Sequence, residues 1–386
     1  MALAAGAAAP PLPPLSSACA PAATLLSPPL CSVPLAAALA HVLSPPVDLL
    51  ALSGVIHTCA LWAGEGEGDD VLRNIAIGED APRSLFDWLI VCAVRARASA
   101  VVASGASLRA EGGGKTPLFC EPFAEGARGL RARAGLEARG AVCVLSRGEA
   151  PLEPAWPIFA DAANGAAAAA LADGGGSGAG EGAADVGAGS GAAPAAAPSF
   201  RPVVVLPSVA ARERVLARFA PSAAPTVCVV DGLSPRGLVA LVRAAMLRDE
   251  EAGGVGAASA QELPPPPPLS LSQPLPLLLP RRASPSGPRH LAFIECGPSV
   301  TRDFYSAGGD ATDPGAPRAP GDVPVDWLLL STFRGPLRPA ARGAPLVRRS
   351  TVARLFERVA SGAARGDSNP AGDAGVWAFE LWRRRE

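Results

Sequence analysis

The segment Ser84–Ser104, with the sequence SLFDWLIVCAVRARASAVVAS, joins a helix pattern directly to a strand pattern. Ser84 is a residue type that caps helices, and the apolar residues after it recur three and four positions apart, which predicts a helix over Leu85–Arg97. The next run, Ser99–Ser104, is short, apolar and rich in valine, which predicts a strand. A helix joined to such a strand indicates a mixed unit of helices and strands.

Short elements of both kinds continue on either side of this segment. A Ser53-Gly54 pair lies between two strand-like runs and predicts a hairpin. The other predicted helices are Leu35–Leu43, Val209–Phe219, Leu238–Leu247 and Thr351–Val359. The predicted strands are Val47–Leu52, Val55–Trp62, Val71–Ile77, Ala141–Leu145, Pro202–Leu206, Thr226–Val230, Leu291–Glu295, Trp327–Thr332 and Val376–Trp382.

The chain has 386 residues, of which 42 are glycine and 42 are proline, and its formal net charge is −1. Several Ala/Gly/Pro stretches bury too little apolar surface to offset the entropy of ordering them. No window holds about 18 unbroken apolar residues, so no membrane association is expected. The predicted organisation is a disordered Pro-rich arm at 1–34, a first domain at 35–160, a disordered linker at 161–199, and a second domain at 200–386 with disordered insertions at 249–289 and 306–324.

The cysteines and histidines do not form a metal-binding pattern. Eight cysteines occur without a CxxC pair, and there are only three histidines, whereas a structural zinc site needs four closely spaced ligands. Cys92 lies in an apolar run, where a free cysteine acts as a small core residue. This usage is typical of a reducing compartment, and we predict no metal site.

Two features could carry catalysis, and each has a plainer interpretation. The stretch AEGGGKT at 110–116 is close to a phosphate-binding loop, but Arg109 stands where that motif requires glycine, which favours a plain glycine turn. Asp231 and Glu295 end apolar runs and could be metal-binding carboxylates, although a turn-capping Asp and a solvent-facing Glu are favoured. No G-x-S-x-G or H-E-x-x-H motif occurs. We therefore predict no catalytic residue and no cofactor, and an enzyme with a degenerate nucleotide site is the third interpretation.

Arginines are concentrated in two segments, residues 95–147 and 334–365. In a nearly neutral chain, two basic segments can line one face that follows a phosphate backbone. The alternative is solvated surface in a chain that uses arginine for almost every cation, since Lys115 is its only lysine. Aromatic residues are not interleaved with these arginines, which favours contact with duplex DNA over stacking on single strands.

The order of helix, hairpin, strand, helix and strand over 35–104 resembles half of a sliding-clamp domain. The stretch VCVVDGLSPRGLVALVRA at Val227–Ala244, followed by Leu291–Glu295 and by DVPVDWLLL at 322–330, is similar to herpesvirus DNA polymerase processivity subunits. The arginine-rich, lysine-poor composition is typical of a GC-rich genome, such as that of many large DNA viruses. This resemblance implies an α+β fold of two related sliding-clamp-like domains and a location in the host nucleus.

The leading hypothesis is a non-enzymatic processivity factor that tethers a viral DNA polymerase to duplex DNA, with no small-molecule substrate. Phosphate contacts carry no sequence information, so such a protein can slide. The alternative hypothesis is a tegument or regulatory scaffold that acts through protein–protein interactions. We expect the polymerase catalytic subunit to dock on Trp156, Ile158 and Phe159, unless these residues only close the edge of the first domain. The predicted DNA contacts are Arg95, Arg97, Arg109, Lys115, Arg128, Arg131, Arg133, Arg348, Arg349 and Arg354.

Overall fold

The computed structural model describes the greater part of the regions with predicted elements. The described residues are 35–64, 70–110, 123–136, 140–156, 158–159, 200–220, 225–229, 290–305, 319–372 and 375–386, with 234, 237, 239 and 242. The predicted arm at 1–34 and the predicted linker at 161–199 lie outside them. So do Lys115, Asp231 and most of the helix predicted over Leu238–Leu247.

Eleven strands of the described residues form one mixed sheet. Seven of them run parallel in the order β8-β1-β7-β3-β4-β5-β6. The strand β11 pairs antiparallel with β8, and β10 pairs antiparallel with β11. The bounds are β1 Gly54–Trp62, β2 Val71–Ile75, β3 Ala100–Ser104, β4 Gly140–Leu145, β5 Phe200–Leu206, β6 Thr226–Val229, β7 Leu291–Glu295, β8 Trp327–Arg334, β9 Arg342–Arg348, β10 Phe356–Arg365 and β11 Val376–Arg384.

Short helices connect and cover these strands. The longest of them begins after Ser84, whose hydroxyl accepts a hydrogen bond from the backbone N–H of Asp87 at 3.3 Å. The helices with bounds in the described residues are α1 Ala38–Val42, α2 Leu85–Arg97, α3 Gly105–Ala110, α4 Ala124–Arg133, α5 Val209–Leu216, α6 Pro298–Thr301 and α7 Arg349–Leu355.

The expectation of two related sliding-clamp-like domains is wrong, because the two halves of the chain share one sheet. Strand β7, from the predicted second domain, lies between β1 and β3 of the predicted first domain. His57 of β1 is the register partner of Ile294, and Val102 of β3 pairs with the same residue from the other side. No clamp-like repeat can be separated from such a sheet. The boundaries proposed for the low-complexity segments stay predictions.

Apolar side chains cover both faces of the sheet, as expected for parallel strands. On one face, Leu89 and Ile90 of α2 pack with Phe293 of β7. On the other face, Ile294 packs in a second cluster with Phe356. Because successive side chains of a strand point to opposite faces, the five-residue strand β7 supplies both cores.

Three predicted local features differ from the structure. The first is the hairpin at Ser53-Gly54, since the partners of β1 in the described residues are β2, β7 and β8. The run 47–52 is not a strand, because the Asp48 carboxylate accepts a hydrogen bond from the N–H of Leu50 at 2.9 Å and caps a 3-10 turn. The helix expected over Thr351–Val359 ends at Leu355, where β10 begins and pairs with β11. Pairing with a neighbouring strand overrides local propensity here. Within the described residues, none of the helices has the length and apolar character needed to cross a membrane.

Candidate functional site

Two clefts lie at the carboxyl ends of the parallel strands. From β3 the chain passes to β4, toward one edge of the sheet. From β7 it passes to β8, toward the other edge. Such a reversal between adjacent strands opens a crevice at their carboxyl ends, which is where open α/β sheets bind ligands. The clefts occupy this position.

The first, which we call the basic cleft, has a volume of about 470 Å³ and lies at the ends of β3, β4 and β5. This volume falls in the range of small-molecule sites. Two exposed arginines and several hydroxyl groups line it, with one glutamate, Glu149. The polar lining includes Ser104, Arg109, Ser146, Arg147, Ser234 and Ser299.

Arg109 reaches the basic cleft from α3, which begins where β3 ends. The Ser104 hydroxyl accepts a hydrogen bond from the N–H of Ser107 at 3.0 Å and so fixes the start of this helix. The guanidinium folds back over Gly105, since the position of a Cβ there is 3.4 Å from Nη1 of Arg109 and 3.4 Å from the carbonyl oxygen of Leu145. The Arg109 cation is therefore held near the ends of β3 and β4.

Arg147 lies in a tight turn after β4. The N–H of Gly148 donates to the Ser146 hydroxyl at 3.1 Å, and Nε of Arg214 on α5 donates to the Gly148 carbonyl at 3.2 Å. Gly148 has φ of 71°, and a Cβ there would lie only 2.8 Å from the Cβ of Ala211. Glycine is thus required for the turn to pack on α5 and to present Arg147 to the cleft.

The second, which we call the acidic cleft, has a volume of about 360 Å³ and is bounded by β1, β7, β8 and α2. Two carboxyl groups line it, Asp87 of α2 and Glu295 at the last position of β7. Its other lining residues include Asn74, Trp88, Ile90 and Ser331. The cleft thus combines apolar walls with two acids.

The pKa of the Asp87 carboxyl is raised to about 6. Desolvation in the cleft wall is the largest cause, and the charge of Glu295 adds to it. A hydrogen bond from Ser331 and the charge of Arg95 act in the opposite direction. Asp87 can therefore hold or release a proton near neutral pH, as a general acid or base requires.

Glu295 forms an ion pair with Arg95, which lies two turns after Asp87 on α2. Nε of Arg95 donates to Oε2 of Glu295 at 2.8 Å, and Nη2 donates to Oε1. The Arg95 side chain is 6% exposed and that of Glu295 is 25% exposed. The sequence interpretation of Glu295 as a solvent-facing residue is therefore corrected: it is a partly buried, paired carboxylate.

The two clefts share a wall at two places. On α3, Ala106 lines the basic cleft and Ser107 lines the acidic cleft. After β7, Gly297 lines the acidic cleft and Ser299 the basic one. No atom lies within 4 Å of a Cβ built at Gly297, so the backbone here borders open space into which a ligand can reach.

The predicted DNA contacts of the first basic segment do not form one surface. Arg97 and Arg131 are buried and donate to backbone carbonyls, Arg97 to Leu52 at 2.9 Å and Arg131 to Ala98 at 2.8 Å. Arg95 is used in its ion pair, and Arg109 lines the basic cleft. Arg128 and Arg133 are exposed on α4.

The second basic segment lies at the opposite end of the sheet order. Arg349 donates to the buried Glu380 carboxylate of β11 at 2.6 Å. Arg348 is partly buried at the end of β9, and Arg354 is exposed on α7. The predicted DNA contact Arg349 is therefore already bound to a carboxylate of the protein itself.

The residues predicted to dock a polymerase are used in packing. Ile158 and Phe159 are buried in the core, where Phe159 meets Phe219 edge-on at 5.2 Å between ring centres. Trp156 is partly buried and stacks on Phe159. These side chains close the edge of the sheet core.

Comparisons with known proteins gave only distant structural likenesses. No protein-family model matches the sequence, and no curated protein matches it significantly. A pyrimidine reductase-like protein of Corynebacterium diphtheriae is similar at 14% identity and TM-score 0.44, over 89% of this chain and 96% of that one. A riboflavin biosynthesis reductase of Saccharomyces cerevisiae is similar at 7% identity and TM-score 0.34, over 89% and 93%. A dihydrofolate reductase of Enterococcus faecalis, described as a complex with NADP(H), is similar at 9% identity and TM-score 0.30, over 86% and 97%.

The interpretation as a non-enzymatic processivity subunit with DNA and polymerase partners is wrong, and so is the scaffold alternative. A single sheet replaces the two clamp domains, and several of the proposed DNA contacts are structural. The sheet instead carries two clefts of small-molecule size. Within the described part of the chain, no three His, Cys, Asp or Glu side chains are grouped as metal ligands.

Sequence reasoning missed Asp87, Arg147 and Ser331. The signal for Asp87 was weak but present, because it is the only acid in the otherwise apolar start of α2. Ser331 lies within an apolar strand and is recognisable only through its hydrogen bond to Asp87. Arg147 is the last residue of the basic segment 95–147, and the turn that presents it depends on Gly148.

Proposed function

We propose that this chain is a reductase that binds a nicotinamide dinucleotide phosphate in the basic cleft and a small organic substrate in the acidic cleft. The observation that carries the proposal is the wall that the clefts share at α3 and at 297–300. Ligands in two adjoining clefts meet at that wall, which is the arrangement that transfer between two bound molecules needs.

The basic cleft fits the phosphate groups of such a cofactor. Arg109 and Arg147 supply guanidinium groups, which bind phosphate through paired N–H donors. Serine hydroxyls beside them supply further donors. Gly297 leaves room for a ligand to pass from the basic to the acidic cleft. When bound, the cofactor supplies hydride chemistry at its nicotinamide ring.

The acidic cleft can supply the proton that the substrate takes up in such a reduction. Protonated Asp87 holds a proton at its carboxyl group, inside a cleft with the apolar side chains of Trp88 and Ile90. It can give this proton to a substrate nitrogen or oxygen next to the carbon that is reduced. The proposed substrate class is therefore a small organic molecule with a C=N or C=O bond.

The test is direct binding of dinucleotides, measured by quenching of tryptophan fluorescence or by calorimetry. The proposal expects NADPH to bind, NADH to bind more weakly, and the Arg109→Gln and Arg147→Gln variants each to lose about tenfold or more in affinity for NADPH. Arg133→Gln, an exposed arginine on α4, is the matched control and should bind as the wild type does. Absence of NADPH binding by the well-folded wild type would overturn the proposal.

A further inference from the structure

Three charged groups at the acidic cleft have a distinct arrangement: two carboxyl groups and one cation. The Arg95 guanidinium makes two hydrogen bonds to Glu295, with Nε on Oε2 at 2.8 Å and Nη2 on Oε1. Asp87 has no such bidentate partner among its described contacts, and its carboxyl group accepts a hydrogen bond from the Ser331 hydroxyl. The Arg95 cation is therefore paired with Glu295 through two hydrogen bonds, whereas the Asp87 carboxyl is bound by a hydroxyl group.

The elements around Asp87 supply all the described groups that set its charge. Arg95 faces it from the same helix, Glu295 from β7, and the Ser331 hydroxyl from β8. On β1, the thiol of Cys59 is buried, and the charge of Asp87 contributes to raising the pKa of that thiol. Only Arg95 carries positive charge in this set.

We propose that Arg95 is a positioning residue: by holding the Glu295 carboxylate in a two-bond ion pair, it leaves Asp87 as the carboxyl group of the cleft that is available to exchange a proton. Two carboxyl groups that share a site cannot both ionise freely, and a bidentate cation on one of them decides which is ionised. The pairing also holds Glu295 at the end of β7, two residues before the shared wall at Gly297. The meaning of this proton for reduction rests on the proposed function, whereas the division of charge does not.

The geometry supports this division through burial as well as through bonding. Glu295 keeps 25% of its side chain exposed, so it retains some solvent in addition to its two bonds from Arg95. The carboxyl of Asp87 is mainly desolvated and has one hydroxyl donor. Bidentate pairing with a guanidinium favours the ionised form strongly, whereas desolvation favours the neutral form.

The experiment is a pH titration of the ligand-free full chain, labelled with ¹³C at the aspartate side-chain carboxyls. Carboxyl chemical shifts are followed by NMR, and the Asp87 signal is identified by its loss in Asp87→Asn. Three variants are compared with the wild type. Arg95→Gln removes the cation, Arg95→Lys keeps the charge but not the bidentate fork, and Glu295→Gln removes the competing anion while keeping its size.

The proposal expects opposite shifts from the two neutralising variants. Loss of the cation should raise the Asp87 titration midpoint by about one pH unit or more, and loss of Glu295 should lower it by a similar amount because the neighbouring negative charge is removed while the charge of Arg95 remains. Arg95→Lys should stay between the wild type and Arg95→Gln. If Arg95 only stabilised the fold, Arg95→Gln and Glu295→Gln would not shift the Asp87 midpoint in opposite directions.

Each outcome of the titration supports or contradicts the role proposed for Arg95. An Asp87 midpoint unchanged in Glu295→Gln, or lowered in Arg95→Gln, would overturn the inference. Should Arg95→Gln not fold, Glu295→Gln and Arg95→Lys provide the same test, since both keep a group of similar size at the site. NADPH binding by the same samples separates the two proposals. Opposite shifts without NADPH binding would leave the charge division standing and remove the proposed reductase function.

Discussion

The guanidinium of Arg131 on α4 donates from Nη1 to the carbonyl oxygen of Ala98 at 2.8 Å, just beyond the end of α2. The same nitrogen donates to the carbonyl of Ala96 at 3.2 Å. The last carbonyls of a helix have no partner within the helix, and a cation at this end also interacts favourably with the negative end of the helix dipole. A buried arginine from one helix thus completes the helix that carries Asp87 and Arg95.

We expect Arg131→Met to lower the free energy of unfolding by about 2–4 kcal/mol, because it leaves buried carbonyls without donors. Urea denaturation of the two proteins measures the difference. Arg133→Met on the same helix is the control, since Arg133 is exposed and its loss should change stability by less than about 0.5 kcal/mol. Equal effects of the two substitutions would contradict the structural role given to Arg131.

Gly54→Ala should destabilise the start of β1. Gly54 has φ of 91°, and a Cβ there would come within 2.9 Å of Cγ of Asp326. That carboxylate also accepts the N–H of Val55 at 2.9 Å, so moving it would break a further contact. We expect a loss of about 1–3 kcal/mol by chemical denaturation. Gly321→Ala, where a Cβ meets nothing within 4 Å, should be nearly neutral, and a neutral Gly54→Ala would disprove the close approach.

Gly297→Val should weaken ligand binding without loss of stability. The valine side chain would enter open space at the wall between the clefts, and the φ of −70° at this position is one that valine adopts. NADPH affinity should fall about tenfold or more, while the melting temperature stays within 2–3 °C of the wild type. Gly321→Val, also at an open position, is the control for both measurements. Full NADPH affinity in Gly297→Val would place the ligand elsewhere.

The raised pKa of Asp87, about 6, predicts a stability change with pH. The folded protein binds this proton more tightly than the unfolded chain, so the contribution is full below pH 4 and is lost as pH rises through about 6. Its size is about 1–3 kcal/mol, taking 1.36 kcal/mol for each pKa unit. Asp87→Asn should therefore become more stable than the wild type as pH rises from 4 to 7 in urea titrations. A constant difference across this range would show that Asp87 titrates normally.

His57 should change stability in the opposite direction over the same pH range. It is buried on β1, its Nδ1 contacts the Tyr305 hydroxyl, and burial lowers its pKa to about 4. The unfolded chain takes up this proton first, so stability is lost as pH falls from about 6.5 to 4. In His57→Gln this acid-induced loss, about 1–3 kcal/mol, should be absent. Because His57 and Asp87 oppose each other in the wild type, the single variants are needed to resolve them, and an unchanged slope in His57→Gln would disprove its role.

Local patterns in the sequence predicted single elements well. The helix over Leu85–Arg97 and the strand Leu291–Glu295 have the bounds that their patterns indicated. Capping by Ser84 and the apolar character of β7 are properties of adjacent residues, so they can be seen without the rest of the chain. Elements whose form depends on a distant partner were not predictable in this way.

Strand β10 shows why elements that depend on a distant partner could not be predicted. Its sequence, FERVASGAAR, is rich in small residues and follows a helix pattern, yet it pairs with β11 along most of its length. At Gly362 the carbonyl of Val42 comes so close that a Cβ would lie 2.9 Å from its carbon. Only the packed structure shows that this glycine admits the end of α1.

The acidic cleft was hidden for a similar reason. Arg95 and Glu295 are 200 positions apart in the sequence, and each taken alone has a plainer interpretation, as a surface cation and as a solvent-facing acid. Their pairing follows from the position of β7 beside β1 and β3, which no periodicity reveals. The same holds for Ser331, which reaches Asp87 from a strand near the other end of the chain.

Strands β7 and β8, the two parallel neighbours of β1, are also among the later parts of the chain to be synthesised. During translation, β1 has neither of these parallel partners until residues 291–295 have left the ribosome, and it has both only after residues 327–334 have followed. We therefore expect nascent chains that end earlier to expose Val55 and Ile56 and to depend on chaperones, since the strands that flank β1 in the sheet are then missing.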